Sequence, residues 1–173
     1  MIEILAAAGA LASLDDLADV LIDCVHGGAS VSFMAPLDRG RALAFWRGVA
    51  AGVEAGDRVL VVARDGEGIV GTVQLVVGQP ENQPHRVDIA KMLVHRRGRR
   101  RGIAAALMRA AEAEARRRGK TLLVLDTVSD SDAARLYARL GWQRVGVIPG
   151  YALMPDGTPC DTTYYYRRLA EVG

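Results

Sequence analysis

Residues 86–126 decide the fold: RVDIAKMLV (86–94) is followed by HRRGRRRG (95–102), IAAALMRAAEAEARRR (103–118) and, two residues later, TLLVLD (121–126). The first and last runs are aliphatic and β-branched, and they predict strands over Arg86–Val94 and Thr121–Asp126. Apolar residues at helical spacing between them predict a helix over Arg101–Arg118 that ends at Gly119. Because strand, helix and strand make a crossover, we expect the two strands to be parallel neighbours.

Hairpin patterns flank this central unit on both sides. The further strands are predicted over Arg58–Ala63, Ile69–Val77, Trp142–Ile148 and Thr162–Leu169, and the further helices over Leu14–Val25, from Asp38 to Val53, and over Asp130–Leu140. This order predicts an α/β (α+β) fold: a mixed, mostly antiparallel sheet with a central parallel pair and helices on both faces. Tyr164–Tyr166 is predicted to be an edge-strand run, and the pairs Glu112–Arg116 and Glu114–Arg118 are predicted to lie on the exposed side of the central helix.

Composition sets the class of protein. The chain has 173 residues, 50% of them apolar and 24% charged, and it shows no internal repeat and no linker, so we expect one domain over residues 1–173. No apolar run reaches the roughly 18 residues of a membrane span, and Met1–Ala12 lacks the basic start of a secretory signal. Cys24 and Cys160 form no metal or redox spacing, which predicts a cytoplasmic protein with free thiols and no metal.

Charge is distributed unevenly along the chain. Residues 1–94 carry a net charge of −5 and residues 95–173 a net charge of +7, with the densest basic block at 95–102. Such a block is typical either of a solvated loop or of a site for a polyanion, such as nucleic acid, a phosphorylated cofactor or an acidic membrane face. This block precedes a helix, whose first N–H groups bind phosphate, and Gly102 allows the close approach of an anion.

Two motifs resemble the GNAT family of N-acetyltransferases. Arg99–Ala104 is similar to the Arg/Gln-x-x-Gly-x-Gly/Ala loop that binds the acetyl-CoA pyrophosphate, and Met92–His95 resembles the strand end that pairs with the pantetheine arm. Residues 130–142 resemble Asn-x-x-Ala-x-x-Leu-Tyr-x-x-x-Gly-Phe, with Asp130 in place of the asparagine and Trp142 in place of the phenylalanine. The resemblance implies a GNAT fold, acetyl-CoA as cosubstrate, and these cofactor-binding residues: Met92, Leu93, Val94, Arg99, Arg100, Arg101, Gly102, Ile103, Ala104, Asp130 and Tyr137.

A closer likeness is to the tabtoxin-resistance acetyltransferases. It rests on Lys91–Val94, Leu125–Thr127, Arg144–Tyr151 and Pro155–Gly157. The resemblance implies that two strand carboxylates and a tyrosine act in catalysis. By register these are Asp88, where a glutamate is expected, Asp126 and Tyr137.

Acetyl transfer from a thioester needs a neutral amine, and an amine of pKa about 10.4 is neutral in only about one molecule in 2,500 at pH 7. Asp88 or Asp126, directly or through water, is a candidate base for the ammonium proton. Tyr137, with an ordinary pKa of about 10, is a candidate acid for the leaving thiolate. A backbone N–H near Leu93 or Val94 is the candidate donor to the oxyanion. No acyl-enzyme is required.

The carboxylates Asp88 and Asp126 favour a cationic acceptor, which predicts a small amine such as an amino-acid-like toxin or antibiotic. Phe33 and Trp46 lie in a segment that overhangs the acceptor site in GNAT-like folds. They either line an apolar wall of that site or belong to the ordinary core.

The leading hypothesis is an acetyl-CoA-dependent N-acetyltransferase for a small-molecule amine, monomeric or homodimeric, with no nucleic-acid or membrane partner. Two alternatives stay open. One is a catalytically weak GNAT protein that binds CoA as a sensor. The other is a nucleic-acid-binding domain that uses the arginine block and binds in a salt-dependent way.

Overall fold

The computed structural model describes residues 1–170. Its strands are β1 (Ile2–Leu5), β2 (Arg58–Asp65), β3 (Gly68–Val76), β4 (Arg86–Val94), β5 (Leu122–Val128), β6 (Gln143–Leu153) and β7 (Pro159–Arg168). Its helices are α1 (Ala7–Ala12), α2 (Leu14–His26), α3 (Arg39–Glu54), α4 (Ile103–Arg117) and α5 (Asp132–Arg139), with a 3₁₀ turn at Arg96–Gly98. Strand β4 has the bounds that the sequence predicts.

The strands form one sheet in the order β1-β2-β3-β4-β5-β7-β6. Its one parallel pair among the described residues is β4 with β5, which spans three residue pairs, Arg86–Leu122 to Asp88–Val124. The other neighbours are antiparallel. The predicted fold class is therefore confirmed, including the central parallel pair.

Helices cover both faces of the sheet. Apolar side chains of α1, α2 and α3 pack with Leu60, Val62, Ile69 and Leu93 on one face, which we call the α3 face. Those of α4 and α5 pack on the other face, the α4 face, with Val61, Val73, Leu123 and Leu125. Since successive strand residues point to opposite faces, this alternation places each polar strand residue on a known side.

Four local expectations are corrected. The first strand and helix, β1 and α1, lie in the apolar start of the chain, where no element was predicted. Helix α4 begins at Ile103 rather than Arg101, because Gly102 has a left-handed φ of +76°. Glu112 and Glu114 are buried rather than exposed. Strand β7, which holds Tyr164–Tyr166, lies inside the sheet, and β6 is the edge strand.

Candidate active site

An opening between β4 and β5 is the central feature of the sheet. Pairing between these strands stops after Asp88 and Val124, although β4 continues beside β3 to Val94 and β5 continues beside β7 to Val128. The β5-facing backbone of β4 beyond Asp88 therefore has no strand partner in the described residues. Met92, Leu93 and Val94, predicted to contact the cosubstrate, lie along this open side.

The loop before α4 presents backbone N–H groups to an anion. Gly102 is the N-cap of α4 and supplies no side-chain cap, so the first N–H groups of the helix, at Ile103 and Ala104, stay available. A Cβ on Gly102 would point into open space, with no atom within 4 Å. Arg100 also has a positive φ, +61°, which bends the loop ahead of the helix. This geometry fits a pyrophosphate group bound at a helix N-terminus.

The arginine block divides into two parts. Arg96 donates to Asp23 through both its backbone N–H and its guanidinium group, and the Arg97 guanidinium contacts Asp65 and the carbonyl of Ile69. These two arginines are thus fixed to the protein, and their charges are offset. Because these two positive charges are offset, the block offers less free positive charge for nucleic-acid binding than its sequence suggests.

Arg99, Arg100 and Arg101 form the second part of the block. Arg99 donates to the carbonyl of Val94 at 3.3 Å, and Arg101 lies 3.8 Å from Asp65. Within residues 1–170, neither Arg99 nor Arg100 has a carboxylate oxygen within 4.0 Å. The second part of the block therefore retains positive charge beside the free N–H groups of α4.

The predicted carboxylates lie on the α3 face, on either side of the opening. Asp88 alternates with Val87 and Ile89, and Asp126 follows Leu125, and all three of these apolar residues pack on the α4 face. Asp88 accepts hydrogen bonds from Arg86 and Gln79, both at 3.3 Å. Asp126 is more exposed and accepts only a long bond of 3.4 Å from Thr162. Asp126 is the less engaged of the two carboxylates.

Tyr137 lies on the opposite face, within the α4 core. Its ring packs against Trp142 and Tyr165, with centroids 6.0 and 6.1 Å away. Burial, aided by the negative charge of Asp126, raises the pKa of Tyr137 well above its ordinary value. The hydroxyl therefore stays protonated, but it is a weaker acid than the sequence argument assumed. No other described side chain or backbone group forms a hydrogen bond with it.

Asp130 lies two residues before the start of α5 and has a left-handed φ of +58°. Its carbonyl accepts a hydrogen bond from Arg135, while Ser131 supplies the side-chain cap of the helix. Asp130 thus lies at the N-terminal end of α5 without serving as its cap.

The predicted acceptor wall is only partly present. Trp46 is fully buried in the α1–α3 layer, so it belongs to the core and does not line an open site. Phe33 is half-buried and packs edge-on against Phe45, at 5.3 Å between centroids. Phe45, which the sequence did not indicate, is the aromatic residue that faces Lys91, with Nζ 5.8 Å from its ring centroid.

Two tyrosines near the carboxylates were also missed. Tyr164 lies directly opposite Asp126 in the β5–β7 register, and its hydroxyl is 3.0 Å from that of Tyr151. The hydrogen bond with Tyr151, together with burial, raises the pKa of Tyr164 to about 12. The Tyr164–Tyr166 run is visible in the sequence, but only the strand order shows that Tyr164 lies beside Asp126.

The chain was compared with known proteins. The model of the acetyltransferase (GNAT) family matches residues 15–142, well over half of the sequence. The chain belongs to the GNAT family. It is an N-acetyltransferase, and acetyl-CoA is its cosubstrate, as the sequence motifs predict.

Individual relatives of this GNAT enzyme agree with that assignment. An uncharacterized N-acetyltransferase from the hisH-hisA intergenic region of Azospirillum brasilense is 35% identical over 115 residues, covering 65% of this chain and 67% of the relative. The fold is shared with yncA of Salmonella typhimurium, solved with its cofactor acetyl-CoA (TM-score 0.79, 19% identity, 100% and 95% of the two chains). It is also shared with a ribosomal-protein-alanine N-acetyltransferase of Brucella melitensis (0.81, 19%, 98% and 99%).

Over residues 1–170 no group of three or more His, Cys, Asp or Glu side chains is placed to hold a metal ion. Within the same range, no helix is long and apolar enough to cross a membrane.

Proposed function

We propose that this enzyme, as one domain over residues 1–173, transfers the acetyl group of acetyl-CoA directly to the amine of a small molecule. The observation that carries the proposal is the opening between β4 and β5, because it joins two differently equipped faces. On the α3 face are two carboxylates, Asp88 and Asp126, and on the α4 face is the protonated hydroxyl of Tyr137. Proton removal and proton return then take place on opposite sides of the reacting carbon.

The residues of the cosubstrate site have separable roles. Gly102 and the free N–H groups of Ile103 and Ala104 hold the pyrophosphate, with Arg99, Arg100 and Arg101 adding positive charge. The open side of β4 over Met92–Val94 pairs with the pantetheine arm, and a backbone N–H at Leu93 or Val94 donates to the developing oxyanion. Acetyl-CoA supplies the activated acyl group.

The acceptor amine arrives as an ammonium group and must lose a proton. Asp126 is the better candidate for the base, since it accepts a single long hydrogen bond and is open to solvent. Asp88 already accepts hydrogen bonds from Arg86 and Gln79, so its oxygens are less free to take up a proton, and we assign it to positioning the acceptor. Tyr137 returns a proton to the departing thiolate.

The resemblance noted in the sequence also narrows the proposed class of acceptor. The likeness to tabtoxin-resistance acetyltransferases at Lys91–Val94, Leu125–Thr127 and Arg144–Tyr151 favours an amino-acid-like toxin or antibiotic as acceptor. A role in resistance follows from that hypothesis and stays a prediction. The cytoplasmic location expected from the free cysteines and the choice between monomer and homodimer also stay predictions.

Release of the CoA thiol from acetyl-CoA, measured across a panel of small amines, tests the proposal. We expect Asp126→Asn to lower kcat by roughly 10²-fold or more, as for loss of a general base, and Asp88→Asn to act mainly on KM. Asp19→Asn, on the outer side of α2 and paired with Arg39, is the control and should leave both constants unchanged. Absence of turnover with every amine, while acetyl-CoA still binds, would instead support a CoA-binding sensor.

A further inference from the structure

A β-bulge turns Lys91 to the α3 face beside the opening between β4 and β5; we call this side of the opening, from which the proposed acceptor approaches, the acceptor cleft. Ala90 pairs with Gln74 and Leu93 pairs with Thr72, so Lys91 and Met92 together oppose one residue of β3. Without this extra residue, Lys91 would alternate with Ala90 and point into the α4 core. The backbone of Lys91 has a φ of +49°, a conformation that costs a residue with a side chain roughly 1 kcal/mol or more.

The bulge directs the Lys91 side chain to the α3 face, where Asp88 also lies. Its Nζ donates to Ser32 Oγ at 3.0 Å and lies 5.8 Å from the ring centroid of Phe45. Ser32 itself has a positive φ of +77°, in the segment that connects α2 to α3. Both neighbours therefore hold the ammonium group in a defined position at the cleft.

The ammonium group of Lys91 has no counter-ion in the described part of the chain. Among residues 1–170 no carboxylate oxygen lies within 4.0 Å of Nζ, and its one hydrogen bond is to a neutral hydroxyl. Burial lowers the pKa of Lys91, and the more distant Asp126 opposes this effect. A partly buried charge without a partner is unfavourable, and a bound anion removes this cost.

Opposite charges thus lie on the two strands that flank the opening, Lys91 on β4 and Asp126 on β5. Asp126 attracts an ammonium group, while Lys91 repels one and attracts an anion. An acceptor with only positive charge meets attraction and repulsion together. An acceptor with an amine and an anionic group is complementary to both charges, the amine to Asp126 and the anionic group to Lys91.

We propose that Lys91 binds the carboxylate of the acceptor, so that the substrate is a small zwitterion whose amine lies beside the Asp126 carboxylate. The proposal rests on the acetyl transfer proposed above and specifies its acceptor class. Lys91 is an acceptor-binding residue in this assignment and takes no part in proton transfer. Ser32 and Phe45 fix the direction of its ammonium group.

The test uses matched pairs of acceptors. Free α-amino acids and short ω-amino acids are each compared with their carboxamides, which keep the amine and the shape but lose the negative charge. With the unaltered enzyme we expect kcat/KM for the best acid to exceed that for its amide by at least tenfold. Lys91→Met should lower kcat/KM for that acid at least tenfold, mainly through KM, and change the value for the amide by less than twofold. Lys91→Arg should keep part of the preference for the acid.

The second lysine of the chain provides the control. Lys120 precedes β5 at the closed end of the parallel pair and donates to the carbonyl of Pro84, so Lys120→Met should preserve the preference. Calorimetric binding of acetyl-CoA should be the same in all the variants, which separates an acceptor effect from misfolding.

Three results would overturn the role of Lys91. They are equal use of acids and amides by the unaltered enzyme, acetylation of amides with no free acid accepted, and an equal loss for both in Lys91→Met. Each leaves the proposed acetyl transfer standing, because an amine is still acetylated. Failure to acetylate any amine in either arm would count against both proposals.

Discussion

Replacing Gly102 by alanine tests the cosubstrate site, because a second glycine of the same helix supplies a matched control. Gly102 precedes α4 with a φ of +76°, and Gly119 follows it with a φ of +69°. A Cβ at either position would meet no atom within 4 Å. The two substitutions therefore impose the same backbone strain and no collision within the protein.

The expected loss of stability is the same for both variants. An alanine in the left-handed region costs roughly 1–2 kcal/mol relative to glycine. For a chain of this size each kcal/mol lowers Tm by roughly 2–4 °C, so both variants should melt a few degrees lower. The expected loss of affinity is not the same, because only the Cβ of Gly102 lies where the pyrophosphate approaches the N–H groups of α4. We expect the Kd for acetyl-CoA to rise at least fivefold in Gly102→Ala, a loss of about 1 kcal/mol, and to stay unchanged in Gly119→Ala.

Titration calorimetry of acetyl-CoA into the three proteins measures the affinities, and thermal unfolding measures the stabilities. Working below the lowest Tm ensures that each protein is folded during the titration. Equal Kd values for Gly102→Ala and the unaltered enzyme would refute the placement of the pyrophosphate at this end of α4. Equal weakening by both substitutions would mean that general strain in the helix, rather than its N-terminal loop, controls binding.

Two further substitutions test the α4 face. Tyr137→Phe should lower kcat by roughly 10²-fold, as for loss of a general acid, and leave urea-induced unfolding nearly unchanged, because no described group forms a hydrogen bond with the hydroxyl; full activity would exclude the acid role. Folding raises the pKa of Tyr137, so its contribution to the free energy of unfolding should be complete below about pH 10 and fall as the pH rises above that value. Unfolding measured as a function of pH detects this loss, and Tyr137→Phe should remove it. Trp142→Phe removes the buried hydrogen bond of 3.1 Å to Glu112 and should cost about 1–2 kcal/mol of unfolding free energy; an unchanged urea midpoint would show that Arg116 and Arg167 satisfy this carboxylate without Trp142.

The centre of the fold was predictable because its signals are local. The β-branched run of β4 and the apolar periodicity of α4 each lie within one element, and Asp38 caps α3 as expected, accepting from the N–H of Arg41 at 2.9 Å. The start of the chain was not predictable in this way. Strand β1 has only four residues and becomes a strand by pairing with β2, about sixty residues away.

Buried acidic residues show where pattern reasoning fails. The spacing of Glu112 with Arg116 is typical of a solvent-exposed pair, yet Glu112 accepts a hydrogen bond from Trp142 and contacts Arg167. Both of these partners come from elements that follow α4 in the chain. Because neither partner lies in α4, the sequence of this helix looks like that of an exposed helix face, although Glu112 is buried.

The residues of the candidate site divide in the same way, into those set by a local motif and those set by contacts between distant elements. Gly102 was predictable because its loop is a continuous motif. The direction of Lys91 was not, since alternation along β4 places it on the wrong face and only the register against Thr72 and Gln74 reveals the bulge. For Trp46 the sequence left open a place in the acceptor wall or in the core, and only the packing of α3 against α2 shows that it belongs to the core.

The short parallel pair explains why these groups meet at one place. Strand β4 completes its ladder with β3 and β5 completes its own with β7, so the sheet consists of two well-paired halves joined by three residue pairs. Beyond Asp88 the inner edge of each half has backbone groups without strand partners among residues 1–170, and such groups in a protein interior require hydrogen bonds. A strand-like amide chain inserted there would satisfy them, and in the proposed site this chain is the pantetheine arm of acetyl-CoA. In the proposed reaction this opening lets the carboxylate of Asp126 and the hydroxyl of Tyr137 reach one reacting carbon from opposite faces of the sheet, which a continuous sheet would prevent.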